Sequence, residues 1–167
     1  GEMSQKGPGL FRIGVISDGI EHIAAPAATG DIPATGAGAP KVELCPLNDN
    51  SGDEGTAMLE IVHDMAPGAA LAFCPAFGDT GQQGLADAVT WLATEAFGGK
   101  GADVIVDDVG YLTEPFFQDG VIAQAVDAAA AHGVSYFSSA GNSADAHYEH
   151  LYHDIVAGDD FQFPFDT

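Results

Sequence analysis

Short apolar runs alternate along this chain with segments in which apolar residues recur every three or four positions. The runs predict five buried strands, over residues 11–16, 42–45, 70–74, 103–108 and 134–138. The helical spacing predicts three helices, over residues 56–65, 82–97 and 119–132. Residues 24–40 are rich in Ala, Gly and Pro, which predicts a surface loop.

This alternation of strands and helices predicts an α/β fold with three layers, in which a parallel sheet carries helices on both faces. Function in such sheets collects at the carboxyl ends of the strands. Three polar segments fall there, at residues 17–19, 107–110 and 140–143. The length of 167 residues predicts one domain or part of one.

The charge balance is strongly acidic and narrows the choice of partners. The chain has 4 Lys and Arg against 25 Asp and Glu, for a formal net charge of −21, while 46% of residues are hydrophobic. A surface of this kind repels phosphate groups, so we expect no nucleic-acid partner and no anionic membrane surface. No apolar run reaches the roughly 18 residues that a membrane span needs, and no signal peptide is expected at the start. The balance fits a salt-rich or an extracytoplasmic setting.

The two cysteines, Cys45 and Cys74, each precede a proline near the end of a predicted strand. They can form a disulfide if those strands are neighbours, because the Cα atoms then approach to roughly 4.4–6.8 Å. Two buried free thiols are the alternative, so the pair leaves the redox compartment open.

Four polar residues at strand ends or helix starts could carry chemistry: Asp18, Glu54, Asp108 and Asn142. Each also has a local explanation. Asp18 could be an Asx-turn residue, Asn142 could be a turn residue, and Glu54 could simply complement the positive end of a helix, worth roughly 0.3–1 kcal/mol. Asp107 and Asp108 are consecutive at a strand end, so at most one of their side chains should face the cleft.

The order of five segments resembles the subtilase superfamily of subtilisin-like and sedolisin-like serine peptidases. The segments are Gly14-Val15-Ile16-Ser17-Asp18-Gly19-Ile20, Glu54-Gly55-Thr56, Met65-Ala66-Pro67-Gly68-Ala69-Ala70-Leu71, residues 103–110, and Ser138-Ser139-Ala140-Gly141-Asn142-Ser143. In that family they match the strand of the catalytic Asp, the His-Gly-Thr segment, the Val-Ala-Pro stretch, the strand that lines the substrate cleft, and the turn of the oxyanion-hole Asn.

The resemblance implies a serine endopeptidase that works through an acyl-enzyme. Glu54 stands where most members have His, as in the sedolisin-like branch, and would act as the base for a serine. Asp18 would tune Glu54, and Asn142 would stabilise the oxyanion. Asp108, Val109 and Gly110 would line the edge that binds a peptide or protein substrate. A Glu base beside a second carboxylate implies an acidic pH preference.

Three departures from the family pattern bear on this reading. The family's Asp stands one position earlier, at Ser17 here, so Asp18 can serve only if the strand has already turned. Sedolisin-like enzymes carry an Asp four residues after the Glu, where this chain has Met58, and they use Asp rather than Asn in the oxyanion hole. The family's Gly-Thr-Ser-x-x-x-Pro segment does not occur in the chain.

The missing serine implies that residues 1–145 form the N-terminal part of a subtilisin-like domain that is incomplete on its C-terminal side. Residues 146–167 read as an irregular tail or the start of another module. The chain alone is then expected to be inactive, with the part that carries the serine as its partner. The alternative is an inactive subtilase-like binding or structural module.

No metal or cofactor is predicted. His147, His150 and His153 have a spacing that converges only partly on a helix, and solvated or packing histidines are the plainer interpretation. His63 is interpreted as structural. Subtilases often carry Ca²⁺, but no segment here has a recognisable calcium-loop pattern. The resemblance implies a secreted or extracytoplasmic protein.

Overall fold

A computed structural model describes residues 11–46, 50–77, 80–95, 99–115 and 117–144 of the protein. The elements are β1 (Arg12–Ser17), α1 (Ala24–Thr29), β2 (Val42–Leu44), α2 (Glu54–Met65), β3 (Ala70–Pro75), α3 (Gln82–Ala93), β4 (Val104–Asp107), α4 (Val121–Ala131) and β5 (Ser135–Ser138). The strands form one parallel sheet in the order β2-β3-β1-β4-β5. The predicted three-layer α/β/α fold is confirmed.

Both faces of the sheet are buried, because successive side chains of a strand point to opposite faces. In β1, Ile13 and Val15 pack on the α2 side, where Leu59 of that helix is fully buried. Ile16 packs on the other side with the residues of α3 and α4. Gly14 lets α3 approach closely, since a Cβ at this position would lie 3.0 Å from the methyl groups of Leu92.

Strand β1 lies in the middle of the sheet, although it comes first in the chain. It pairs with β3 on one side and with β4 on the other, so the chain changes direction across the sheet at β1. Parallel sheets bind ligands in the crevice at such a switch point, outside the carboxyl ends of the strands. The residues that follow β1 and β4 therefore lie at the expected place for a site.

The prediction of a loop over residues 24–40 is wrong for its first six residues, which form α1. Pro26 lies in the first turn of this helix, where its missing N–H is not needed. The helix ends at Gly30, which has a left-handed φ of 93° and donates its N–H to the carbonyl of Pro26. Alanine-rich composition thus forms a short helix in spite of the proline.

The other predicted boundaries differ from the structure by a few residues. Helix α2 begins at Glu54, two residues before the predicted start, and α4 begins at Val121 rather than at residue 119. Helix α3 ends at Ala93, because Thr94 is extended, while the prediction carried the helix to residue 97. Residues 96–98 lie outside the described part of the chain.

Cys45 and Cys74 form a disulfide, with their Cα atoms 4.9 Å apart. Strands β2 and β3 are neighbours, and Leu44 pairs with Phe73, so the next residues along each strand face one another. The bond therefore ties the short edge strand β2 to the interior strand β3. Of the two options left open by the sequence, the disulfide is the correct one.

The α2 side of the sheet is covered unevenly. Helix α2 packs on β1 and β3, whereas Val104 and Val106 of β4 are half-buried and Phe137 of β5 is 60% exposed. Apolar surface is therefore exposed near β5. Among the described residues, no helix has the length and apolar character required to span a membrane.

Candidate functional site

Three carboxylates lie near one another at the carboxyl edge of the sheet, from Asp18, Glu54 and Asp108. Strands β1 and β4 are neighbours in register, with Ile16 opposite Asp107, so the residues that follow both strands lie side by side. Glu54 enters from the first turn of α2. Its carboxyl group is under the influence of the charge of Asp108, and both residues also feel the charge of Asp18. We call these three residues the carboxylate cluster.

Asp18 lies in a bend directly after β1, which ends at Ser17. The strand has therefore turned before Asp18, which meets the condition that its one-residue offset required. Its Oδ1 accepts hydrogen bonds from the backbone N–H of Gly19 and, at 3.2 Å, of Gly55. Two backbone donors thus hold the carboxylate against the first turn of α2.

The glycines around the acids are needed because the backbones approach closely. A Cβ at Gly52 would lie 2.6 Å from Cγ of Asp18 and still closer to its Oδ2, and Gly52 also has a left-handed φ of 102°. A Cβ at Gly55 would lie 2.6 Å from the carbonyl oxygen of Gly19. Only glycine fits at these two positions while Asp18 stays beside Glu54.

A series of hydrogen bonds joins the loop after β1 to the turn before α2. The N–H groups of Ile20 and Glu21 donate to Asn50 Oδ1 at 3.1 Å and to the Gly52 carbonyl at 2.9 Å. We call the two joined segments, residues 18–22 and 50–55, the acid frame. It fixes the position of Asp18 relative to Glu54.

His22 and Asp53 close the outer end of the acid frame. The backbone N–H of His22 donates to Asp53 Oδ1 at 2.7 Å, and its ring Nδ1 contacts Asp53 Oδ2. The hydrogen bond with Asp53 raises the pKa of His22, and the same contact lowers the pKa of Asp53. Asp53 is the N-cap residue of α2, but its carboxylate accepts these bonds rather than capping the helix.

Glu54 is exposed, yet its pKa is raised above the ordinary value of a glutamate. The charge of Asp108 is the main cause, followed by partial loss of solvent and the charge of Asp18. Like charges at short range disfavour double ionisation, so the cluster retains a proton to a higher pH than an isolated carboxyl group.

Loss of solvent also raises the pKa of Asp108, while a hydrogen bond from Ser17 opposes the shift. Ser17 is fully buried, and its hydroxyl donates to Asp108 Oδ2 at 2.9 Å. Ser17 therefore orients the carboxylate of the neighbouring strand. The sequence did not indicate this contact, because it depends on β1 and β4 being adjacent.

Asp107 and Asp108 point to opposite sides, as predicted from the alternation of a strand. Asp107 is only 4% exposed and faces α4, where Oδ1 accepts bonds from Val109 N–H at 3.1 Å and from the Ser138 hydroxyl at 2.8 Å. Desolvation and the bond to Asp107 raise the pKa of Tyr136 far above its ordinary range. Asp107 is thus a buried structural acceptor, outside the carboxylate cluster.

The remaining predicted site residues lie at the same edge of the sheet. Val109 is buried, with its N–H bonded to Asp107, and Gly110 is exposed. Asn142 is exposed in the turn after β5, beside Gly141 with a left-handed φ of 77°. No hydrogen bond joins Asn142 to another residue in the part of the chain that is described, so its oxyanion role stays a prediction, as does contact of Asp108, Val109 and Gly110 with a substrate.

Potential metal ligands occur together at one place among the described residues. Glu21, His22 and Asp53 bring ligand atoms within 4.8 Å of one another, and all three residues are exposed. The ion pair of His22 with Asp53 already accounts for this grouping. The tail histidines His147, His150 and His153 lie outside the described residues.

The sequence matches no protein-family model and no curated protein. The function of the site is therefore inferred from the carboxylate cluster and its surroundings.

Proposed function

We propose that this chain contributes the base and the oxyanion-binding part of a serine-carboxyl peptidase of the subtilase superfamily. The observation that carries the proposal is the position of Glu54 at the switch point of the sheet near Asp108 and Asp18, where the charge of Asp108 raises the pKa of Glu54. A carboxylate with a raised pKa is a stronger base than an ordinary one. Glu54 is also exposed, so it can reach a group outside the chain.

In the proposed mechanism, the ionised Glu54 takes the proton from the hydroxyl of a serine as that oxygen attacks a peptide carbonyl. The protonated Glu54 then donates a hydrogen bond to Asp108, which remains ionised with help from the Ser17 hydroxyl. Glu54 afterwards returns the proton to the leaving amine. Asp18 is held by two backbone N–H groups against the first turn of α2, beside Glu54.

The origin of the second carboxylate differs from the sedolisin pattern. The position one helical turn after Glu54 is Met58, which packs against the core and has no titratable group. In this chain the carboxyl partner of Glu54 is Asp108, which comes from the end of β4 rather than from the same helix. In the proposed enzyme it takes the role that a helical Asp has in the sedolisin-like branch, and Asn142 supplies the amide donor for the oxyanion.

The serine of the proposed reaction comes from outside residues 1–167, in a Gly-Thr-Ser-x-x-x-Pro segment. A peptide or protein is the substrate. The disulfide supports an extracytoplasmic location, since such bonds persist in oxidising compartments. The strongly acidic composition is compatible with the same location.

The test is labelling of the full-length gene product with a fluorophosphonate probe, at about pH 4 and about pH 7, where an ordinary and a raised glutamate pKa give different ionisation. We expect one serine downstream of residue 167 to be labelled, and Glu54→Gln to abolish labelling. Glu60→Gln, which removes a charge from the same helix, is the matched control and should label normally. Absence of labelling at both pH values would favour the inactive subtilase-like module instead.

A further inference from the structure

A cleft of about 310 Å³ lies between the sheet and α4, on the face of the sheet opposite α2. Asp107 and Val109 line it, whereas Asp108, between them in sequence, turns to Glu54. The cleft and the cluster thus share one strand end. A volume of this size is typical of small-ligand sites.

The walls of the cleft are mainly apolar. Leu85 of α3 and Ile122 and Val126 of α4 provide aliphatic surface. Tyr111 lines the cleft as well, and its hydroxyl donates to the Ala76 carbonyl at 2.9 Å, which ties the loop after β4 to the end of β3. Such walls suit the methylene stem of a long side chain.

The polar groups in the cleft are acidic. Glu114 accepts the N–H of Ala123 in the first turn of α4 through Oε1, at 3.1 Å. Its Oε2 is buried and has no hydrogen-bond partner among the described residues. A buried carboxylate oxygen without a donor is costly, so a positive group bound near Glu114 would offset part of that cost.

The other two acids differ from Glu114. Asp107 is already bonded to protein donors, and Asp127 is exposed on α4. None of the described residues that line the cleft is Lys, Arg or His. Bound cationic groups would meet negative charge without a competing cation from the chain.

The distribution of the cations reinforces this polarity. Arg12 and Lys100 both lie against Glu43, at 3.7 Å and 3.1 Å, near the amino ends of β1 and β4. Lys41 precedes β2 at the same edge. Among the described residues, no Lys or Arg lies at the opposite edge, which carries the cleft and its acids, so the field there attracts a positive group.

We propose that the cleft binds the side chain of an arginine or lysine in the peptide that the proposed peptidase cleaves, with Glu114 as the counter-charge. The methylene stem packs on the aliphatic walls, and the cationic head pairs with the carboxylate of Glu114. This inference rests on the proposed function for its substrate, but the binding site belongs to this chain alone and can be tested without the serine.

The test is a titration of the 167-residue chain with N-acetyl-arginine amide, followed by amide chemical shifts in NMR at about 0.15 M salt, where long-range attraction is screened. N-acetyl-norleucine amide has a similar stem without the charge. We expect the arginine compound to bind about tenfold more tightly, as loss of a charged hydrogen bond implies. The shifts should centre on the amides of Val109, Ala123 and Ser138.

Glu114→Gln should reduce arginine binding to the level of norleucine, because glutamine can still accept the Ala123 N–H but carries no charge. Glu60→Gln, on the other side of the sheet, should bind normally. If Glu114→Gln does not fold, Asp127→Asn at the exposed side of the cleft takes its place, with a smaller expected loss. Equal affinity of both compounds, or shifts of equal size in all variants, would overturn the proposal.

This outcome is separable from the proposed function. Specific arginine binding without fluorophosphonate labelling of the full-length protein would support a cation-binding module and refute the peptidase proposal. Labelling without arginine binding would support the peptidase proposal and refute the preference for arginine or lysine in the substrate.

Discussion

Gly52 is the position at which a single methyl group should break the acid frame. Its φ of 102° and its close approach to Asp18 are two separate obstacles to alanine. Alanine in a left-handed conformation costs about 1–2 kcal/mol, of which the reduced freedom of the unfolded chain returns about 0.4–1 kcal/mol. The Cβ would also have to displace a carboxylate that lies well inside contact distance.

Displacement of Asp18 breaks its hydrogen bonds from Gly19 and Gly55. Hydrogen bonds to a charged group contribute about 1.5–3 kcal/mol, and discounting for partial exposure leaves about 1 kcal/mol each. Gly52→Ala is therefore expected to reduce the free energy of unfolding by about 3 kcal/mol in total. Gly30→Ala is the matched control, since Gly30 has a φ of 93° with open space around its Cβ position, and should cost only about 1 kcal/mol.

The assay is urea unfolding of the four variants of a double-mutant cycle, with Asp18→Ala as the second change. Without the carboxylate, Gly52→Ala should cost no more than Gly30→Ala, so the coupling between positions 18 and 52 should be about 2 kcal/mol. If Gly52→Ala costs the same with and without Asp18, the reasoning that the glycine exists to admit the carboxylate is refuted.

Three further predictions concern pH and redox state. The raised pKa of Glu54 means that the stability of the protein falls as pH rises from the ordinary to the raised value of this pKa. Glu54→Gln should therefore increase Tm at about pH 7 but not at about pH 3. An equal gain at both pH values would contradict repulsion between the charges. The pKa of His22 is also raised, so its ion pair with Asp53 stabilises the protein at pH values below the ordinary histidine pKa and no longer does so above the raised pKa. His22→Gln should therefore lower Tm more at about pH 6 than at about pH 9. A loss of Tm that does not depend on pH would mean that His22 acts through packing instead. The Cys45–Cys74 bond joins residues 29 apart, and its reduction should lower the free energy of unfolding by about 3–4 kcal/mol, as measured by urea titration. The variant with both cysteines replaced by alanine is the control. A loss below about 1 kcal/mol would show that closing this loop contributes little to stability.

The layers of the fold were predictable because local signals agree with the tertiary structure. The apolar runs of β1 and β3 are buried on both faces, and such strands read as continuous hydrophobic segments. Helix α1 was not predicted, because Pro26 and the flanking glycines suggested a loop. A proline is also tolerated in the first turn of a helix, so composition alone does not distinguish the two structures.

The carboxylate cluster was predictable only in part. The positions of Asp18 and Glu54 followed from the order of motifs, whereas the role of Asp108 beside Glu54 depends on β1 lying next to β4. The spacing of residues along the chain does not predict the order of the strands in the sheet. The Ser17 hydroxyl bond to Asp108 and the His22 contact with Asp53 depend on the same long-range packing and carry no sequence signal of their own.

The central position of β1 has a consequence for how the chain is made. Arg12 donates its backbone N–H to Asp103, 91 residues later in the sequence. At roughly 5–20 residues per second, a ribosome needs roughly 5–20 s between these two residues, and contacts of such long range slow folding further. During this interval the central strand of the sheet has no partner on one side. We expect nascent chains that end before β4 to be held by chaperones, and those that extend past α4 to be released.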